Sequence, residues 1–171
     1  MAKWGSADFK QLKRVNDKLK KLQSQDIEAF CRECSKELAA RLLGKVIRRT
    51  PTGEYDKPVN FTTKDGKNVS FQPHTGKVGG TLKKGWTGEK SMAAKAYAYS
   101  LPITRKGNWY EIVVKNPIEY ASYVEFGHRK RGGKGWVEGR FMLTISENEI
   151  EAQAPKLLEK KLIEYLRKCF E

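Results

Sequence analysis

The chain has 171 residues, enough for one domain with a hydrophobic core and some extension. Its 34 Lys and Arg against 20 Asp and Glu give a net charge of +14, which points to polyanionic surroundings: nucleic acid, an acidic protein surface or an anionic membrane. No apolar run approaches the roughly 20 residues of a membrane span, and the N-terminus lacks the apolar segment of a signal peptide, so a cytosolic chain with no membrane partner is expected.

Ser6 is a fair helix N-cap, with Phe9, Leu12, Val15, Leu19 and Leu22 at steps of three and four behind it. The rest of that helix is strongly basic. Ser24-Gln25-Asp26 offers a break, and residues 1–25 read as a helical extension of a single α+β domain over 26–171. A second helical pattern runs through Ile27, Phe30, Cys31, Cys34, Leu38, Leu42 and Val46. It ends at Arg48-Arg49 before Thr50-Pro51, since basic residues in a last turn and a following proline both stop helices.

Val59–Thr63 and Asn68–Gln72 alternate weakly around Lys64-Asp65-Gly66-Lys67, a hairpin signal. Gly76–Thr87 reads as a turn leading into a strand or short helix. Met92–Leu101 alternates Ala with Lys and Tyr and is predicted as a strand. It is expected to pair through a Lys106-Gly107-Asn108 turn with Trp109–Lys115, the clearest strand of the chain. Asn116-Pro117 stops that strand. From Arg140 onward the pattern is helical, with Pro155 either kinking the helix or opening a second one. The predicted fold is α+β: an antiparallel β-sheet packed by a long N-terminal helix and a C-terminal helix.

The most informative stretch is Tyr120–Leu143. Tyr120, Tyr123 and Phe126 share one side only on a helical turn, so a short helix is predicted after Pro117, with those rings buried. Gly127 permits a sharp exit. His128, Arg129, Lys130 and Arg131 follow, then Gly132, Gly133, Lys134, Gly135 and Trp136. A basic, glycine-rich loop of this kind suits contact with phosphates or an acidic protein surface, so His128, Arg129, Lys130, Arg131, Lys134 and Trp136 are the candidate partner-binding residues.

Catalytic and metal chemistry find little support. Glu125 and His128 form a carboxylate–imidazole pair without a nucleophile or metal cluster, which favours a structural Glu125 bonded to backbone amides or an arginine. Cys31 and Cys34 have a CxxC spacing, but zinc needs two more ligands, and Cys169, His74 and His128 show no paired spacing. Both cysteines fall on an apolar helical stripe, where they act as small hydrophobes. Gly79, Gly80, Lys83 and Lys84 lack phosphate-loop spacing. No catalytic residue, metal or cofactor is expected.

Four segments in order carry a resemblance. They are Thr50-Pro51-Thr52-Gly53 at a helix end, the turn Gly80-Thr81-Leu82-Lys83-Lys84-Gly85-Trp86, the octapeptide Tyr120-Ala121-Ser122-Tyr123-Val124-Glu125-Phe126-Gly127, and Gly139-Arg140-Phe141-Met142-Leu143 leading a helix. Together they resemble the head–tail joining, or tail-component, proteins of tailed phages, the group named for gene product ten of phage HK-ninety-seven. The octapeptide is the specific part, with Tyr120, Tyr123, Glu125, Phe126 and Gly127 as its structural signature. Two departures are a longer stretch between Gly53 and Gly80 and an unusually basic loop at 128–138.

The resemblance implies a non-enzymatic structural subunit of a connector or tail-completion ring, hexameric or dodecameric, joining the capsid neck to the tail. Implied partners are further copies of the chain, neighbouring neck and tail proteins, and packaged DNA. Its implied location is the virion, with assembly in the bacterial cytoplasm. A basic nucleic-acid-binding accessory protein is the alternative, and a nuclease using Glu125 and His128 is a third.

Overall fold

The computed structural model describes residues 27–76, 79–88, 90 and 92–170, together with Lys13, Asp17 and Lys20. The helix predicted behind Ser6 lies outside the described residues except at those three positions, which are helical. The Ser24-Gln25-Asp26 break and the side chain of Cys169 also lie outside them.

Helix α1 (Ile27–Arg49) carries Glu28 in its first turn and Arg48 and Arg49 in its last, charges that complement the helix dipole. It ends where Thr50 folds its hydroxyl back to donate to the Val46 carbonyl at 2.7 Å, and Pro51 prevents continuation. The inward face of α1 buries Cys34, Ala39, Leu43 and Val46. Burial raises the Cys34 thiol above its ordinary pKa, as expected of an inert core cysteine.

A hairpin of β1 (Val59–Thr62) and β2 (Asn68–Phe71) follows, closed at the Asp65-Gly66 turn that the sequence marks. Helix α2 (Thr81–Gly85) then delivers Trp86 into the core. The Trp86 indole N–H donates to the Thr50 hydroxyl at 2.8 Å, with both residues buried. That bond locks the end of α1 to the turn after α2.

Residues Ala94–Ser100 form a helix, α3, where a strand was predicted. Alanine has the highest helix propensity, and the small Ala98 face allows α3 to lie close against α1. The alternation with Lys and Tyr matches a strand only by coincidence. The antiparallel pair therefore forms further along, between β3 (Thr104–Lys106) and β4 (Trp109–Glu111), around the expected Lys106-Gly107-Asn108 turn. The strand predicted over Trp109–Lys115 ends at Glu111, because Ile112 and Val114, with Ile118 further on, pack against the helical core instead of pairing with a strand.

Helix α4 (Ala121–Phe126) leads into β5 (Gly127–Arg129), which pairs with β6 (Trp136–Glu138). Helix α5 (Met142–Phe170) runs through Pro155 as one element and packs along α1. The two long helices are also tied by charge: the Glu149 carboxylate takes Lys45 on one oxygen and Arg49 on the other, while Arg49 also donates to the Ser146 hydroxyl at 3.1 Å. The class is α+β, as predicted. Among the described residues its β-structure is three separate two-stranded antiparallel ribbons rather than one sheet, with the core built by α1, α2, α3 and α5. Among the same residues no helix is long and apolar enough to cross a membrane.

Candidate functional site

The octapeptide folds as the predicted short helix, but it faces the other way. Val124 and Ala121 are only partly covered, and the one fully inward side chain is Glu125, 5% exposed. Tyr120, Tyr123 and Phe126 point outward; Tyr123 is 59% and Phe126 62% exposed. The expectation that these rings anchor the turn is therefore corrected. The face that carries them is the surface, and the opposite face holds the turn.

Helix α5 explains why. Its first-turn amides need acceptors, and the residue at its N-cap position is Phe141, whose side chain offers none. Glu125 supplies the cap from a distant segment. One carboxylate oxygen accepts the Leu143 amide at 2.9 Å; the other accepts the Thr144 amide at 2.9 Å and the Thr144 hydroxyl at 2.8 Å. A carboxylate at a helix N-terminus also meets the positive end of the macrodipole. With both oxygens engaged and the side chain buried, Glu125 is a structural cap, and His128 packs edge-on against Tyr123 with centroids 5.9 Å apart.

The backbone is pinned at the same place. The Arg140 amide donates to the Val124 carbonyl at 2.7 Å and the Phe141 amide to the Glu125 carbonyl at 3.0 Å. Gly127 and Gly139 make this crossing possible. A Cβ on Gly127 would overlap the Val137 carbonyl oxygen, one on Gly139 would overlap the Glu125 carbonyl oxygen, and Gly127 has φ of +84°. Phe141 has a φ of +47°, the single non-glycine in the left-handed region among the described residues, and it is 42% exposed. Left-handed backbone at a bulky residue is strained, and strain of this kind collects at functional positions.

The basic loop caps the β5–β6 ribbon. His128 and Arg129 lie on β5, Trp136 begins β6, and Lys130, Arg131 and Lys134 sit in the turn between them, all exposed. Lys130 and Gly135 close the turn through an amide-to-carbonyl bond of 3.1 Å, with Gly132, Gly133 and Gly135 at positive φ. The candidate site thus joins α4, the start of α5 and the β5–β6 ribbon, through the backbone bonds of Arg140 and Phe141 and the Tyr123–His128 ring contact. Exposed aromatic rings on α4 and Phe141 adjoin a ribbon that carries four cations and Trp136.

Cys31 and Cys34 lie on α1, the first half-buried and the second buried, and neither joins the site. Among the described residues no group of three or more His, Cys, Asp or Glu comes together to hold a metal ion. Two features escaped the sequence reading: the outward direction of the rings and the strained Phe141. The first had a signal in Gly139-Arg140-Phe141, which offers α5 no side-chain cap, so an acceptor had to come from another segment.

The chain is thus an α+β fold that turns the aromatic residues of its most distinctive segment outward, beside a cationic ribbon. The HK97-gp10-like family, described as "Bacteriophage HK97-gp10, putative tail-component", matches residues 13–127, and the chain belongs to that family. Membership places it among structural components of the phage tail, which work with other phage proteins in the virion. No significant match was found among curated proteins or solved structures.

Proposed function

We propose that the protein is a subunit of a head–tail connector or tail-completion ring that joins the capsid neck to the tail. The observation that carries this reading is the outward face of α4, because exposed rings beside a capped, immobilised backbone make a docking surface rather than a core. Its partners are further copies of the chain and neighbouring neck and tail proteins. Assembly takes place in the host cytoplasm. In the same reading residues 1–25 extend the 26–171 domain and pack on a neighbouring subunit.

The cations of the β5–β6 ribbon then meet an acidic protein face. A ring gripping DNA at every subunit would gain affinity at each phosphate and retard the transit of DNA, whereas aromatic rings next to the cations suit a protein partner. The net charge of +14 supports the alternative, direct binding of nucleic acid. Replacing Arg129, Lys130, Arg131 and Lys134 with Ala tests both. Heads and tails that fail to join, with the chain still folded, support docking on protein; particles that join normally but retain or eject DNA abnormally support contact with DNA.

A further inference from the structure

The stretch between α1 and α2 forms a projecting arm. Its root is clasped by Asp56, whose carboxylate accepts the Thr75 amide and hydroxyl, both at 3.1 Å, and a Cβ on Gly79 would overlap the Gly53 carbonyl oxygen, so the two ends of the arm touch. Beyond the clasp stands the β1–β2 ribbon. Its register places Val59 opposite Phe71 and Phe61 opposite Val69 on one face, and Asn60–Ser70 and Thr62–Asn68 on the other. The ribbon is two-faced in chemistry, yet its apolar face is open: Phe61 is 50% and Phe71 51% exposed. A lone two-stranded ribbon is marginal in water and needs its apolar face covered.

The second open apolar surface is the one described above, Tyr120, Tyr123 and Phe126 with Phe141 on the adjoining strand of chain. Counting roughly 200 Å² for a whole aromatic side chain, four rings at about half exposure present about 400 Å². That matches the largest apolar patch a monomer ordinarily carries, often a functional one, and is close to the roughly 450 Å² of apolar surface on one side of a standard interface.

We infer that the apolar face of the β1–β2 arm of one copy docks on the α4–Phe141 surface of the next copy. This rests on the ring reading and names its contact. An arm-to-arm contact would leave the aromatic surface bare, whereas arm-to-surface buries both at once. Because the two faces differ, the contact is heterologous and propagates from copy to copy until it closes. Charge sets its character. Copies at +14 repel one another, and the facing residues are uncharged, so association strengthens as salt screens the repulsion. Binding to DNA through the cations would weaken with salt instead.

The test uses two variants at exposed positions, Phe61→Ser with Phe71→Ser on the arm, and Tyr123→Ser with Phe126→Ser on the surface. Sedimentation of the full chain is followed up to about 1 mM, the range in which weak contacts populate. Each variant alone is expected to stay monomeric, and their equimolar mixture to form dimers and nothing larger, since only one intact pairing remains. Variants that associate as the wild type does overturn the inference. Where the purified wild type does not associate, a photo-crosslinker at position 61 in assembled particles decides. Bridging to the Tyr120–Phe126 peptide of a second copy supports the contact. Bridging to another phage protein overturns it but leaves the ring reading standing, and a ladder that stops at two copies overturns both.

Discussion

Replacing Glu125 with Ala should be the most destabilising single change in the signature segment. The carboxylate holds three donors at 2.8–2.9 Å, two of them first-turn amides of α5, in a side chain 5% exposed. Hydrogen bonds to a charged acceptor contribute about 1.5–3 kcal/mol each, and losing an N-cap costs about 1–2 kcal/mol. The three bonds share one carboxylate, and water entering the vacated space recovers part of the loss. A total of about 3 kcal/mol is therefore expected. For a chain of this size that lowers the melting temperature by about 6–12 °C. Glu125→Gln should lose roughly half as much, because one amide-facing oxygen becomes a donor aimed at another donor. Tyr123→Ala, at an exposed position, should change stability by less than about 0.5 kcal/mol. Thermal melts followed by circular dichroism read all three. A larger loss from Tyr123→Ala than from Glu125→Ala would refute the assignment of which face is structural.

Three further outcomes follow from the packing and the charges. Trp86→Phe removes the indole donor to the buried Thr50 hydroxyl and should lower stability by about 1–2 kcal/mol, seen as a shifted urea midpoint with an unchanged slope. The hydrogen bond from Lys45, aided by Arg49, holds the Glu149 carboxyl below its ordinary 4.5, so its contribution is present at neutral pH and is lost as pH falls through the folded value. Glu149→Gln should therefore be less stable than wild type at neutral pH, and the gap should narrow as acid titration below 4.5 protonates Glu149, read by urea titrations across that range. The Glu33 carboxylate accepts a hydrogen bond from the Tyr99 phenol and pushes that group from 10.0 up to about 12, so its contribution holds below pH 10.0 and is lost as pH rises toward 12. Absorbance titration should find a late-titrating tyrosine that moves down in Glu33→Gln.

Local chemistry was legible in the sequence, and direction was not. The run from Ile27 to Arg49, the Asp65-Gly66 hairpin and the Lys106-Gly107-Asn108 turn follow from periodicity and turn residues, and all three form where expected. Ala94–Ser100 did not, because alternating Ala and Tyr satisfies a strand pattern while packing of Ala98 against α1 selects the helix. The spacing of Tyr120, Tyr123 and Phe126 correctly gave a shared helical face. Spacing cannot say whether that face meets the core or the solvent, and an unmet cap on α5 decided it. The pairing of Glu149 with Lys45 and Arg49 joins residues about a hundred positions apart and left no local trace.

The most direct test of the central claim is electron microscopy of lysates from a phage that carries Tyr123→Ser and Phe126→Ser in this gene. If the outward rings of α4 join this subunit to its neighbours at the head–tail junction, the lysate should contain filled heads and separate tails, while the purified variant melts within about 2 °C of the wild type. Intact virions in normal number from that double variant would contradict the account.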